Sequence, residues 1–389
     1  MYYGIQVLSP GYFYVAAAVI CGVVAMSIGS SWTTAGTVGV GLVGIATMLG
    51  VSSAITAGAV ISGAYLGDKL SPLSETTILT AQMVKVDLYT HIRSQAWTSV
   101  PAFVIAAVVF ALLGIVGPPV RQTVGEDVEL AKLSEIFSIT PPLNLLPLVI
   151  LVVLSIRKAP ASLALLAASL WAGIQAVLLQ RDVVAGFVAE IHGSSDMIAG
   201  SVQAIWRAMA NGFTMNSGIA DIDRLLSRGG MDSMLLTIWL IIGAVTFGAL
   251  LEQFGLIDRL VRPLIESAKS TGRLYLSVFA SGIGLNIVAG DQYIALVLPS
   301  RVFRLEFEKR GLAPQNLSRL AADSGTVTSP LVPWNSCGGA FMSAVLGGVS
   351  TLAYLPFAIF NIASPLLSVV YGFTGFRVVK AAPTEEDVT

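Results

Sequence analysis

Residues 67–77 read GDKLSPLSETT. They follow SAITAGAVISGAYL (53–66), which is almost wholly small or apolar, and they place Asp68, Lys69 and Glu75 around Pro72. Whether such a stretch sits in water or inside a bilayer decides the fold. Of the 389 residues, 55% are hydrophobic and 12% charged, and mean hydropathy is +0.80. Soluble domains carry about 25% charged residues, so roughly half the usual solvating charge is missing. The chain is therefore read as an all-α polytopic membrane protein. A net charge of −1 offers no electrostatic footprint for nucleic acid. Cys21 and Cys337 lie in apolar surroundings and read as buried thiols, with no metal-ligand spacing around them. His91 and His192 are isolated in the chain, and no Ser/His, Cys/His or HExxH pattern points to an enzyme. The N-terminus, MYYGIQVLSPGYFYV, lacks the basic flank of a secretory signal.

Apolar runs at 97–117, 142–155, 160–180, 234–255 and 351–373 are near the length of a spanning helix, about 17–25 residues. Segments 11–50, 54–84, 274–300 and 319–347 are apolar on average but hold glycines, prolines and carboxylates at their middles. Loop 301–319 has five Lys/Arg and loop 256–273 has four, whereas 118–141 has two against four acids and 181–233 has four against six. The positive-inside rule places the first two in the cytoplasm and the last two outside. Alternation also puts Lys85, Arg93, Arg157 and Lys158 inside, together with the C-terminus. Segment 274–300 then begins and ends on one side, too short for two crossings. It reads as a re-entrant hairpin with its tip near Gly290-Asp291. Segment 319–347 crosses once, broken at DSGTVTSPLVPWNS (323–336).

The first third repeats this plan, with GSSWTTAGTVGVG (29–41) inside 11–50 and a broken helix over 54–84. Trp32 and Ser71 are 39 residues apart, Asp291 and Ser329 are 38 apart, and both second members open Ser-Pro-Leu. The connector MLGVSSA (48–54) is uncharged while its counterpart is basic, which argues for two repeats of inverted topology. Repeat one is then 1–117, 118–141 an external loop, repeat two 142–373, and 374–389 a polar tail. Repeat two has three spans before its hairpin and repeat one has none, so the symmetry predicts about three further helices before Met1. Residues 187–209 show apolar residues at helical spacing beside Glu190 and Arg207, as in an interfacial helix. Glu252 also reads as interfacial. The small-residue stripes at Ala57/Gly58, Ser62/Gly63/Gly67 and Gly282/Gly284 read as close helix packing.

Carboxylates at mid-bilayer depth are costly and by default functional. Asp68, Glu75, Asp291 and Asp323 meet that description, and Lys69 offers Asp68 a local ion pair. Na⁺ is a hard cation that takes oxygen ligands. The break 323–336 supplies Asp323, Ser324, Thr326, Thr328, Ser329 and Asn335, and the break 67–77 supplies Asp68, Ser71, Ser74, Glu75, Thr76 and Thr77. Pro72, Pro330 and Pro333 remove backbone donors and free upstream carbonyls. Half-helix N-termini in the same breaks could hold an anion instead. Trp32 and Trp334, one per break region, read as gate or packing residues.

GAVISGAYLGDKLSPLSETT (58–77), AGDQYIALVLPSR (289–301) and RGLAPQNLSRLAADSGTVTSPLVPWNSCG (310–338) resemble the NhaC family of Na⁺/H⁺ antiporters. The likeness runs in order over most of the chain. It implies the ion-transporter superfamily fold, with inverted repeats that each hold a re-entrant hairpin and a broken helix and that often work by elevator-like movement. Family members usually carry additional N-terminal helices. The departure is Glu75, where the family pattern has Asp, a change that bears on ion affinity or size preference. The family also includes malate/lactate exchangers.

The expected function is therefore Na⁺/H⁺ antiport across the cytoplasmic (inner) membrane, with Asp68, Glu75, Asp291 and Asp323 alternating between protons and Na⁺. A Na⁺-coupled exchanger of malate, lactate or similar carboxylates is the alternative. It is disfavoured because neither break holds an arginine for bidentate carboxylate capture. No cofactor is expected. The expected partners are the lipid bilayer, Na⁺ and H⁺, with homodimerisation open.

Overall fold

The computed structural model describes residues 8–381 except 117–136, 139–142, 158, 160, 193–196, 215–222, 224–226, 257–258, 260–262, 265, 267 and 337–338. Most of the expected loop 118–141, with Lys158, Cys337 and the tail from 382, thus lies outside the described residues. The chain forms two units: Leu8–Val43, Ser52–Gly117 and Trp239–Thr389 make one, and Met1–Val7, Gly44–Val51 and Pro118–Ile238 the other.

Helix α1 (Phe13–Ile28) ends on Gly29, whose φ of 76° is a left-handed conformation that glycine adopts without strain. Ser30 then caps the next helix by accepting the Thr33 amide at 3.2 Å. That helix starts as α2 (Ser31–Thr34), widens into a π-turn at Ala35–Gly39 and continues as α3 (Val40–Met48). Helix α4 (Ser53–Leu70) starts on the Ser52 cap and stops where Pro72 holds Ser71 extended, at ψ 130°. Ser74 caps α5 (Glu75–Val84), accepting the Thr77 amide at 3.3 Å. The unwound centre is thus 71–74, narrower than the expected 67–77. Asp68 and Lys69 lie in the last turn of α4, and Glu75, Thr76 and Thr77 in the first turn of α5.

Helix α6 (Leu88–Val116) begins nine residues before the expected span start of 97. One face buries His91, Gln95, Thr98, Ser99, Ala102, Ala106 and Phe110. The other exposes Val100, Val104, Val108, Leu112 and Ile115. Polar-in and apolar-out is the reverse of a soluble helix and suits a bilayer. With a window hydropathy of 2.6, α6 is the one described helix long and apolar enough by itself to cross a membrane. Pro101 inside it cannot bond the Trp97 carbonyl, which instead accepts the Tyr371 hydroxyl at 3.1 Å.

In the other unit, α7 (Leu146–Ile156) and α8 (Ala161–Leu179) pack through Leu151, Ala164 and Ala168. The amphipathic stretch expected as one helix over 187–209 is two, α9 (Arg181–His192) and α10 (Met197–Ala210), with 193–196 outside the described residues. A short antiparallel pair, β1 (Gly212–Phe213) and β2 (Arg228–Gly229), precedes α11 (Leu235–Gln253), which from Trp239 on belongs to the larger unit.

The remaining helices repeat the capping pattern of the first third. Helix α12 (Thr271–Val288) leads to Gly290, φ 65°, and Asp291 caps α13 (Gln292–Val302) by accepting the Tyr293 and Ile294 amides at 2.9 and 3.1 Å. After α14 (Arg304–Lys309), α15 (Pro314–Ala321) runs into a π-turn at Ala322–Thr326, closed by Val327 N on Ala322 O at 3.1 Å. Asp323 is therefore still helical. The chain unwinds over 327–336, around a 3₁₀ turn at Ser329–Leu331, not from 323 as the sequence suggests. Helices α16 (Gly339–Val345) and α17 (Thr351–Tyr354) follow, and the Thr351–Phe357 segment meets α18 (Ile359–Thr374) at 57°. The start of the expected tail then docks on α15, with Val379 O accepting the Ala313 amide at 3.0 Å and Asn316 Oδ1 accepting the Val379 amide at 3.0 Å.

Helices α1 and α4 approach at glycines. A Cβ on Gly63 would lie 2.0 Å from the Ala18 carbonyl oxygen, and one on Gly67 2.1 Å from that of Gly22. Gly58 and Gly282 are similarly tight, against Phe357 and Ser324, whereas Gly284 meets nothing within 4 Å and is not the contact the stripe implied. Gly63→Val should lose about 1–3 kcal/mol by overpacking. Thermal melting in detergent checks this, with Gly284→Ala expected to melt like the wild type.

Candidate functional site

The buried centre of the larger unit is an ion pair between helix α4 and the π-turn that follows α15. Lys69 Nζ bonds Asp323 Oδ1, and the side chains are 3% and 0% exposed. Three hydroxyls brace the carboxylate: Ser364 Oγ donates to Oδ1 at 2.5 Å, Ser368 Oγ to Oδ2 at 2.6 Å, and Thr98 Oγ1 reaches Oδ2 at 3.0 Å. Lys69 Nζ also donates to Ser364 Oγ at 3.2 Å and Thr98 Oγ1 at 3.4 Å. A buried charge persists when it is paired and its remaining hydrogen-bonding capacity is met, and here both conditions hold. Asp323 sits in the π-turn, where the i→i+5 bond bulges the backbone; such bulges are frequent at functional positions.

The expected local pair between Asp68 and Lys69 does not form. Successive helix residues do not face each other, so the two side chains diverge. Asp68 turns to α2, where Ser31 Oγ donates to its Oδ2 at 2.7 Å, while Ser74 bonds it and Glu75 repels it. Glu75 accepts the Tyr293 hydroxyl of α13, and Asp291 is the buried cap of that helix. The four carboxylates thus have different hydrogen-bond partners, although Asp68 and Glu75 lie near each other, and Lys69 pairs with Asp323 alone among the described carboxylates.

Most of the expected oxygen ligands serve their own backbone. Ser324 Oγ donates to Leu320 O at 2.8 Å, Thr328 Oγ1 bonds Ser324 O, and Thr77 Oγ1 caps the freed Lys69 carbonyl at 3.2 Å. Thr76 Oγ1 pairs with Ser74 Oγ at 3.0 Å, and Ser71 Oγ accepts the Leu73 amide at 3.2 Å. Such back-bonding is the usual fate of Ser and Thr within and beside helices. Ser329 Oγ sits among Thr326 O, Gln292 Oε1 and the Tyr65 hydroxyl, at 2.8, 3.2 and 3.1 Å. Asn335 Nδ2 donates to Asn286 Oδ1 at 2.9 Å, and Asn286 Nδ2 donates to Gly325 O at 2.6 Å. Thr326 Oγ1 is buried without a hydrogen-bond partner among the described residues. Trp32 stacks on Phe341 with ring centres 4.5 Å apart, a packing role.

Reading the sequence missed Lys69 as the partner of Asp323, and with it Thr98, Ser364, Ser368, Asn286 and Gln292. His91 is also not isolated, since it pairs with Ser318 and Gln95. The available signal was helical spacing: His91, Gln95 and Thr98 at i, i+4 and i+7, and Ser364 and Ser368 at i and i+4. Arg319 is 1% exposed but turns to the tail, donating to Arg377 O at 3.2 Å.

The profile of the Na⁺/H⁺ antiporter family matches residues 5–83 and 63–376. The chain belongs to that family. The NhaC Na⁺/H⁺ antiporter of Alkalihalophilus pseudofirmus is 37% identical over 98% of this chain and 78% of its own length. The arginine/ornithine antiporter ArcD of Halobacterium salinarum is 36% identical over 99% and 76%. A malate-2H⁺/Na⁺-lactate antiporter of Bacillus subtilis is 32% identical over 96% and 76%. Membership of the antiporter family makes the chain a membrane transporter rather than an enzyme, and its all-helical core agrees.

Proposed function

We infer that this chain exchanges Na⁺ for H⁺ across the cytoplasmic membrane at the Lys69–Asp323 pair. The buried ion pair, braced by hydroxyls of α6 and α18, carries that inference. Asp323 provides anionic oxygen, and Thr98, Ser364 and Ser368 provide neutral oxygens beside it, a donor set for a hard cation. Lys69 is a tethered cation on the same carboxylate. When Na⁺ takes its place, an ammonium left unpaired in so dry a setting is untenable, and its proton leaves. Na⁺ departure reverses the step, so one carboxylate serves both ions in turn and exchange is obligatory. Asp68, with Ser31 and Glu75 beside it, is a second proton-holding carboxylate on the same helix, and Ser71, Thr76, Thr77, Ser324, Thr326, Thr328, Ser329 and Asn335 shape the two breaks. Glu75 and Asp291 take part by holding α13.

Two inverted repeats, 1–117 and 142–373, organise the movement in this reading. The matched caps support it: Gly29-Ser30 and Gly290-Asp291 each join two helices, and each hairpin is followed by a broken helix. Both hairpins are read as re-entrant and the C-terminus as cytoplasmic, on the charge of the connecting loops.

Proteoliposomes with an imposed pH gradient should lose it on addition of Na⁺ alone. Dissipation only with malate and lactate, or only with arginine and ornithine, would instead assign the chain to the chemistry named for those relatives.

A further inference from the structure

Helix α6 carries a polar stripe longer than cation binding at Asp323 requires. His91, Gln95 and Thr98 share one face, and all three are fully buried. Their side chains line about 10 Å of the helix, with Gln95 bonded to His91 through its side chain and to Thr98 through its main-chain carbonyl. Thr98 Oγ1 lies 3.0 Å from Asp323 Oδ2 and 3.1 Å from the Gln95 carbonyl, the Gln95 amide nitrogen bonds His91 Nε2, and His91 Nδ1 pairs with Ser318 Oγ at 2.8 Å. Ser318 Oγ donates to Gln315 O at 3.1 Å, where the chain is only partly buried. One turn before His91, Asp87 is exposed.

The amide setting and the ring tautomer go together. With the Gln95 nitrogen toward the ring, His91 Nε2 accepts and the neutral ring carries its hydrogen on Nδ1, facing Ser318. Gln95 Oε1 is then left buried with no partner among the described residues. Turning the amide over brings that oxygen to Nε2, where it accepts from a ring protonated there. The two tautomers of His91 thus match the two settings of Gln95. Thr98 has a similar choice, with one hydroxyl hydrogen and two acceptors in reach. Ser99 Oγ, one turn beyond Gln95, is also buried without a partner among the described residues, and with Gln95 Oε1 it suits a bridging water.

We propose that this stripe is the proton route between the aqueous end of α6 and the Lys69–Asp323 pair, with His91 as the carrier within it. The inference rests on the antiport reading. With the ring hydrogen on Nε2, a proton from water arrives through Ser318 and binds Nδ1. The Nε2 proton then passes to a water held beside Gln95 Oε1 and Ser99 Oγ, that water gives a proton to Thr98 Oγ1 as Thr98 releases its own hydrogen toward the Lys69–Asp323 pair, and the amide turns back. The proton ends on the Lys69 amine as Na⁺ leaves Asp323, and the outward path runs in reverse. The charged groups around the route are Lys69 on α4, Arg319 on α15, Asp323 in the π-turn that follows α15 and Asp87 at the aqueous end.

Two rates in the same proteoliposomes test the route. Na⁺/H⁺ exchange needs the proton, whereas exchange of radiolabelled Na⁺ for unlabelled Na⁺ does not. His91→Gln, which keeps a polar side chain but cannot carry a proton, should slow Na⁺/H⁺ exchange about tenfold or more. Na⁺/Na⁺ exchange should stay near wild type, as should the Na⁺ concentration for half-maximal rate. Parallel loss of both rates would make His91 merely structural, and unchanged Na⁺/H⁺ exchange would remove it from the route; either overturns the proposal. If His91→Gln does not fold, Gln95→Met carries the same test. Absence of any Na⁺-coupled proton movement in the wild type would instead overturn the antiport reading.

Discussion

Asp323→Asn is expected to abolish Na⁺-driven proton movement in proteoliposomes, while Asp323→Glu keeps a measurable part of it. The asparagine retains most of the volume and can still bond Ser364, Ser368 and Thr98, so what is lost is the charge. Removing one member of a buried, hydrogen-bonded charge pair costs about 2–5 kcal/mol. At about 1.4 kcal/mol per tenfold, that is roughly thirtyfold to a few thousandfold in cation binding. Monodisperse elution from gel filtration separates loss of transport from loss of fold. Full exchange by Asp323→Asn would remove this residue from the site.

Lys69→Met should produce the largest loss of stability of any single change in the site. It leaves a carboxylate with 0% exposure facing three hydroxyls and no cation. Breaking a buried pair in this way costs about 3–5 kcal/mol, whereas replacing both partners by apolar residues is often neutral. The double variant Lys69→Met/Asp323→Leu is therefore expected to melt above Lys69→Met alone, close to wild type. Thermal unfolding in detergent measures both, and a double variant less stable than the single one would show that the pair is not the unit.

Much of the helical layout can be read from the apolar runs, and the proline-hydroxyl stretches mark where helices stop. The spans at 142–155, 160–180 and 234–255 correspond to α7, α8 and α11 within a few residues. The span at 97 was drawn too short because the first turns of α6 are polar, and they are polar because they face inward. That shortening hid His91 and Gln95 from the site. The Lys69–Asp323 pair joins residues 254 apart, and no local pattern encodes that. What the sequence does display is Asp68 beside Lys69, but helix geometry sends adjacent side chains about 100° apart. The oxygen count in the breaks was legible, whereas the direction of those oxygens was not, because a helical Ser or Thr so readily bonds its own preceding turn.

The central claim is that Na⁺ and a proton exclude each other at Lys69–Asp323. Proton release on Na⁺ binding to the purified protein tests it without any need for transport. In a weakly buffered alkaline solution containing a pH indicator, adding Na⁺ to the wild type should acidify the medium, with choline as the inert control. Asp323→Asn should give no signal. Equal acidification by wild type and Asp323→Asn, at the same Na⁺ concentration, would contradict the account.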